Sequence, residues 1–247
     1  MTGYSTFDRS RKRYSESDIM LVSEIYSSRQ GEGRLTGQPS IFIRTTGCNL
    51  RCHFCDTPFT SWSPEGREIP IGDLLDEIDK MSPQHVVLTG GEPMLPREVV
   101  ELTNRLHEQN YHITIETSGT IFRELRCDLI SISPKLANST PPTSRAGEWT
   151  QKHENARHQP EIVDRLIQRH DYQLKFVVNH PADVDEIEQY LEELSEIDRE
   201  RVLLMPEGVE PAKLKEREKW LVPICEKRQF TYCPRMHIQW YGNRRGT

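Results

Sequence analysis

Three of the six cysteines fall in one short stretch, GCNLRCHFCDTPFTSW, from Gly47 to Trp62. Cys48, Cys52 and Cys55 stand there at a C-x3-C-x2-C spacing. Thiols so grouped can hold a metal or do redox chemistry. A structural zinc ion takes four ligands, usually as two pairs. The fourth would have to be His53, which adjoins Cys52 and would need to point at the same ion. A dithiol pair would use Cys52 and Cys55, would leave Cys48 idle, and has no thioredoxin-like pattern around it. The third choice is an iron–sulfur cluster, whose four-iron form normally takes four thiolates. Three leave one iron open to an exchangeable ligand, which makes the group a chemical site rather than a staple.

Further polar motifs stand where apolar runs end. Thr89-Gly90-Gly91-Glu92-Pro93 closes HVVLT (85–89), and Glu116-Thr117-Ser118-Gly119 closes YHITIET (111–117). Ser133-Pro134-Lys135 closes DLISIS (128–133), and Met205-Pro206-Glu207-Gly208 closes RVLLM (201–205). IFIRTT (41–46) and QLKFVVN (173–179) read as two more strands. Segments 71–81, 97–109, 161–170, 184–197 and 212–228 carry apolar residues at helical spacing. Strands alternating with helices predict βαβ units and a parallel sheet. In such folds function gathers at the carboxyl ends of the strands. The stretch 136–160 is polar and aperiodic and reads as a long loop, with His153 and His158 as solvated loop histidines. Residues 1–18 read as a flexible lead-in to a single domain over 19–247.

The 247 residues carry a net charge of -6, which argues against a broad nucleic-acid or anionic-membrane surface. No apolar run nears the roughly 20 residues needed to span a bilayer. The N-terminal stretch lacks the apolar core of a signal peptide. The expectation is a cytoplasmic chain with reduced thiols, whose cysteines are ligands or core residues. Cys127 and Cys225 lie in apolar runs, and neither they nor Cys233 are expected to hold the cluster.

The C-x3-C-x2-C loop after a strand, with Phe54 before the last cysteine, resembles the radical S-adenosylmethionine superfamily, and Gly90-Gly91-Glu92-Pro93 resembles its second motif. EIYSSRQGEG (24–33), FIRTTGCNLRCHFCDTPFTSW (42–62), LTGGEPML, ITIETSGT, ISISPK and the tail PRMHIQWYGNRRGT resemble the 7-carboxy-7-deazaguanine synthases. That resemblance covers nearly the whole chain from Glu24. It implies an incomplete, modified TIM-like (β/α)6 barrel, usually a homodimer. It implies one [4Fe–4S] cluster on Cys48, Cys52 and Cys55, with S-adenosylmethionine chelating the open iron and yielding a 5′-deoxyadenosyl radical. It also implies a carbon–nitrogen lyase that turns 6-carboxy-5,6,7,8-tetrahydropterin into 7-carboxy-7-deazaguanine with loss of ammonia, on the path to queuosine and other deazapurines. An electron donor such as a flavodoxin or ferredoxin would reduce the cluster.

By the same resemblance, Gly91 and Glu92 face the methionine moiety. Glycine lets backbone come close to the ligand, and the Glu92 carboxylate holds its ammonium group. Ser133, Pro134 and Lys135, with Met205, Pro206, Glu207 and Gly208, contact S-adenosylmethionine; Met205 stands where another member has glutamine. Arg29, Gln30, Gly31, Glu32, Arg44 and Thr89 contact the substrate. Arg44 suits the pterin carboxylate, and Glu32 the pterin's guanidine-like edge. Thr57 matches a magnesium ligand. The tail beyond His237 receives no role. The alternative within the superfamily is a glycyl-radical activase acting on a partner protein.

Overall fold

The computed structural model describes residues 19–247; the lead-in over 1–18 lies outside the described residues. The expected strands form β2 (Pro39–Thr45), β4 (His85–Gly90), β5 (His112–Thr117), β6 (Leu129–Ile132), β7 (Tyr172–Val178) and β8 (Val202–Pro206). They lie side by side in that order, each parallel to the next. The runs are short and almost continuously apolar because helices cover such a sheet. The helices between them are α2 (Ile71–Ile78), α3 (Val99–Glu108), α6 (Pro160–Ile167), α7 (Asp183–Glu192) and α8 (Pro211–Arg228). On α2 the spacing that predicts a helix also fixes the buried face: Ile71, Leu74, Leu75 and Ile78 are all in the core. Each such side chain contributes about 1.5–3 kcal/mol on burial.

Three strands are not evident from the pattern. β1 (Ile19–Arg29) pairs antiparallel with β2, β3 (Arg67–Pro70) pairs antiparallel with β1, and β9 (Thr231–Tyr232) adds parallel to β8. A register shift between Val22 and Glu24 breaks the alternation by which β1 would be recognised. The sheet order is β3-β1-β2-β4-β5-β6-β7-β8-β9, with its two edge strands unpaired to each other among the described residues. A mostly parallel sheet ending in two edges is an incomplete, TIM-like barrel.

The long loop expected over 136–160 is instead a structured cap. It holds a 3₁₀ turn (Ala137–Ser139), α4 (Thr143–Ala146) and α5 (Trp149–Arg157). Helix α5 escapes the periodicity test because its single fully buried residue is His153. The solvated assignment is therefore wrong for His153. Its Nδ1 accepts from the Arg51 N–H at 3.1 Å, and its Nε2 lies 2.9 Å from Ser139 Oγ. Ser139 O in turn accepts from the His53 N–H at 2.7 Å, so this cap holds the cysteine loop. His158 stays half-exposed beside Glu193 and packs edge-on against Tyr190.

Candidate active site

The carboxyl ends of the strands, the cysteine loop and the C-terminal segment enclose a cavity of about 480 Å³, within the range of small-molecule sites. Cys48, Cys52, Cys55 and Thr57 line it, as do Arg29, Gln30, Gly31, Glu32, Arg44, Thr89, Gly91, Ser133, Lys135, Met205, Glu207 and Gly208. Three expected residues do not. Pro134 and Pro206 are buried in the strand ends. Glu92 is wholly inaccessible.

The placement of Glu92 changes its role. Thr117 Oγ1–H and the Met94 N–H donate to Glu92 Oε1 at 2.7 and 3.0 Å. The Ser118 N–H and Oγ–H donate to Oε2 at 2.8 and 2.5 Å. Four donors fill the four lone-pair sites of a carboxylate, so none is left for an ammonium group. Glu92 ties the end of β4 to the end of β5. The glycines before it also serve the protein's own packing. A Cβ on Gly91 would sit 2.0 Å from Gly47 O, and one on Gly90, at φ +134°, would sit 2.2 Å from Thr45 O. Only bare backbone lets this turn lie against the cysteine loop, and the Glu92 N–H donates to Gly47 O at 2.9 Å.

The thiols fit a cationic iron–sulfur group. All three are free and share one cavity wall. Burial pushes Cys48 up to about 12, helped by the Glu92 charge. Burial does the same to Cys52, up to about 12, against the pull of Lys135. Thiols so poorly solvated become ligands only when a metal group supplies positive charge. Among the described residues no three His, Cys, Asp or Glu side chains are grouped to hold a single metal ion. A four-iron cluster takes one thiolate on each of separate irons, so its thiols need only line a common cavity, as these three do. Cys127, Cys225 and Cys233 lie elsewhere: Cys225 and Cys233 are buried, Cys127 faces His170 at 3.5 Å, and Cys233 Sγ accepts from the Gly33 N–H.

Beyond the cysteines lies a charged chamber. Burial alone would raise the Glu32 carboxyl, yet Lys175 and Arg235 hold it far below the usual carboxylate range. Glu32 contacts Lys175 directly, and Arg235 Nε donates to its Oε1 at 3.2 Å. Arg235 also binds Asp56 and donates to Gly208 O at 2.7 Å. Gln30 Nε2 donates to Glu116 Oε1 at 3.0 Å. On the other side Arg44 Nε donates to Glu24 Oε2 at 2.9 Å, and its Nη2 to Tyr26 Oη at 2.8 Å. Burial would lower Arg44, but Tyr26, Asp56 and Glu24 keep it charged and raised.

Glu116 stands in a motif at a strand end, but the sequence gives no role to Glu24, Tyr26, Asp56, Lys175 or Arg235. Lys175 alone leaves a signal, a lysine inside the apolar run QLKFVVN. The tail joins the wall as well. Helix α9 (Met236–Tyr241) donates from the Met236 N–H to Gly31 O at 2.9 Å. A Cβ on Gly31 would meet His237 Cβ at 2.5 Å, so the glycine of Arg29-Gln30-Gly31 admits that helix. Asn243, Arg244, Arg245 and Thr247 also line the cavity, and Arg245 Nε donates to Glu24 Oε1 at 2.9 Å.

The radical SAM superfamily model matches residues 42–169. A protein of Rhodopirellula baltica named 7-carboxy-7-deazaguanine synthase is 47% identical over 95% of this chain and 91% of its own. One of the same name from Halobacterium salinarum is 41% identical over 94% of this chain and 95% of its own. The crystal structure of QueE from Escherichia coli superposes with a TM-score of 0.70 at 24% identity. It covers 90% of this chain and 99% of that one, a likeness of fold.

Proposed function

The chain belongs to the radical SAM superfamily and, within it, to the 7-carboxy-7-deazaguanine synthases, and on that footing we propose that it converts 6-carboxy-5,6,7,8-tetrahydropterin to 7-carboxy-7-deazaguanine with loss of ammonia. The observation that carries this is one cavity wall holding three free thiols opposite a buried array of fixed charges. Cys48, Cys52 and Cys55 would hold a [4Fe–4S] cluster. With S-adenosylmethionine bound, that group supplies a 5′-deoxyadenosyl radical able to take a hydrogen atom from the substrate. The other roles belong to the chain's own residues.

Gly91, Ser133, Lys135, Met205, Glu207 and Gly208 border the space for S-adenosylmethionine. Lys135 is held by Ser133, whose Oγ accepts from its ammonium at 2.8 Å, and burial lowers its pKa. Arg44 takes the pterin carboxylate. Its Nε and Nη2 are occupied by Glu24 and Tyr26, so the Nη1 edge is the one offered. Glu32 accepts from the guanidine-like edge of the pterin, its charge fixed by Lys175 and Arg235. Gln30, locked to Glu116, positions Gly31 and Glu32. Fixed groups at both ends of a flat substrate select one C–H bond for attack.

Thr57 lies beside Cys55 at the cavity wall and contributes one oxygen to Mg²⁺. The ion's other ligands come from substrate and water, since magnesium keeps several waters. The protein acts as a homodimer, takes its electron from a small carrier protein and works in the cytoplasm. No helix among the described residues is long and apolar enough to cross a membrane. Anaerobic reconstitution with iron and sulfide, then product analysis with the carboxylated pterin, tests the reading. Formation of 7-carboxy-7-deazaguanine is expected; unchanged pterin from protein that has taken up iron and binds S-adenosylmethionine would overturn it.

A further inference from the structure

The cysteine loop has a second face. His53, between Cys52 and Cys55, is exposed and is not among the cavity-lining residues. Cationic side chains surround it. Arg145, on α4, donates to His53 O at 2.8 Å and lies 4.2 Å over the Trp62 ring. Arg51 donates to Cys48 O and Leu50 O, each at 2.8 Å, and lies 3.9 Å over the Trp149 ring. Lys152 stands 5.3 Å from that ring and pairs with Glu148 at the surface, a contact worth little. Backbone carbonyls and aromatic faces hold Arg51 and Arg145, and no carboxylate cancels their charge among the described residues. A chain of net charge -6 thus gathers cations around the residues that flank Cys52, one of the cluster positions.

This face is also rigid. Buried His153 fixes the Arg51 N–H, and Ser139 O fixes the His53 N–H. It fits a partner that must arrive near the cluster, carries negative charge and leaves quickly. We propose that Arg51, His53, Arg145 and Lys152, framed by Trp62 and Trp149, form the docking site of an acidic one-electron carrier protein. The proposal rests on Cys48, Cys52 and Cys55 holding the cluster. One electron leaves the reduced flavin or iron–sulfur centre of the carrier and enters the [4Fe–4S] cluster, with no bond made or broken. Opposite charges raise the encounter rate and are screened by salt, and transient electron-transfer contacts are small.

The test uses reconstituted protein without pterin. Reduced flavodoxin and reduced [2Fe–2S] ferredoxin are each mixed with wild type, Lys152→Glu and Arg145→Glu/Lys152→Glu. Cluster reduction is followed by electron paramagnetic resonance between about 50 and 300 mM salt. With at least one carrier, wild type should be reduced rapidly at low salt and more slowly as salt rises. Lys152→Glu should slow this about threefold and the double variant about tenfold, with the salt dependence flattened, on the scale of electrostatic steering. Dithionite should reduce all three equally. If the double variant loses iron on desalting, Lys152→Glu alone decides, since Lys152 makes no contact with the cysteine loop. Carrier-driven rates unmoved by charge reversal overturn the proposal. So does a changed oligomeric mass in the variants, which would make this face an interface between copies. Wild type that takes up no iron would instead remove the cluster assignment, before any carrier is added.

Discussion

Glu92→Gln separates a carboxylate that binds a ligand from one that braces two strand ends. Glu92 accepts four hydrogen bonds: two from the hydroxyls of Thr117 and Ser118, and two from the backbone N–H groups of Met94 and Ser118. Hydroxyls can rotate to new partners; backbone N–H groups cannot. Glutamine keeps one accepting oxygen and turns an NH₂ toward the other pair, so one backbone donor loses its acceptor. An unsatisfied buried donor costs about 1–3 kcal/mol. Glu92→Ala orphans both and should cost about 2–6 kcal/mol, plus the void left by the side chain. The assay is urea denaturation of the metal-free protein, without cluster or S-adenosylmethionine. Losses of those sizes are expected, a large share of the stability of an ordinary domain. If both variants unfold within about 0.5 kcal/mol of wild type while binding S-adenosylmethionine weakly, Glu92 serves the ligand and the bracing argument fails.

Alanine at Cys48, Cys52 or Cys55 should abolish iron retention, while alanine at Cys127, Cys225 or Cys233 leaves the iron content unchanged; iron retention that depends on Cys233 would reassign the ligands. Thr57→Val should raise the Mg²⁺ needed for activity and leave the cluster's absorption spectrum intact, and equal metal dependence in both proteins would remove the assignment. His153 is neutral when folded because burial lowers it to about 4 from 6.5. The unfolded chain therefore takes up the proton first as pH falls, so His153's contribution is present above pH 6.5 and lost on descent to about 4. It amounts to on the order of 3 kcal/mol. Gln at this position can accept from the Arg51 N–H and donate to Ser139 Oγ without titrating. His153→Gln should flatten the denaturation profile in that window by comparable amounts, with His85, also lowered to about 4, and His170 and His237, lowered by burial, contributing to the slope that remains.

The parallel strands and their helices were legible because local spacing and burial agree there: Ile71, Leu74, Leu75 and Ile78 fall on one helix face and in one core. The cysteine loop and the motifs at strand ends were legible because their chemistry needs particular residue types close together. What escaped depends on contacts distant in sequence. Arg235 meets Glu32 across 203 positions and Asp56 across 179, and no local pattern announces either. Helix α5 hides because its inward residue is polar, so a hydrophobic period cannot mark it. The role of Glu92 is not legible from its neighbours, since a carboxylate beside two glycines looks alike whether its partner is a ligand ammonium or the next strand's backbone. The glycines carry the same ambiguity: the close neighbour of Gly91 is Gly47 of the cysteine loop, and that of Gly90 is Thr45 at the end of β2.

The central claim is that the thiol wall and the charged chamber serve one hydrogen abstraction from a carboxylated pterin, and the family resemblance implies that the hydrogen returns and S-adenosylmethionine is regenerated. The most direct test supplies the tetrahydropterin deuterated at the abstracted carbon to the anaerobically reconstituted, reduced protein, then recovers the S-adenosylmethionine. Deuterium in its 5′-methylene group, with many product molecules formed per S-adenosylmethionine consumed, is the predicted result. Product accompanied by one 5′-deoxyadenosine per turnover and unlabelled S-adenosylmethionine would contradict it.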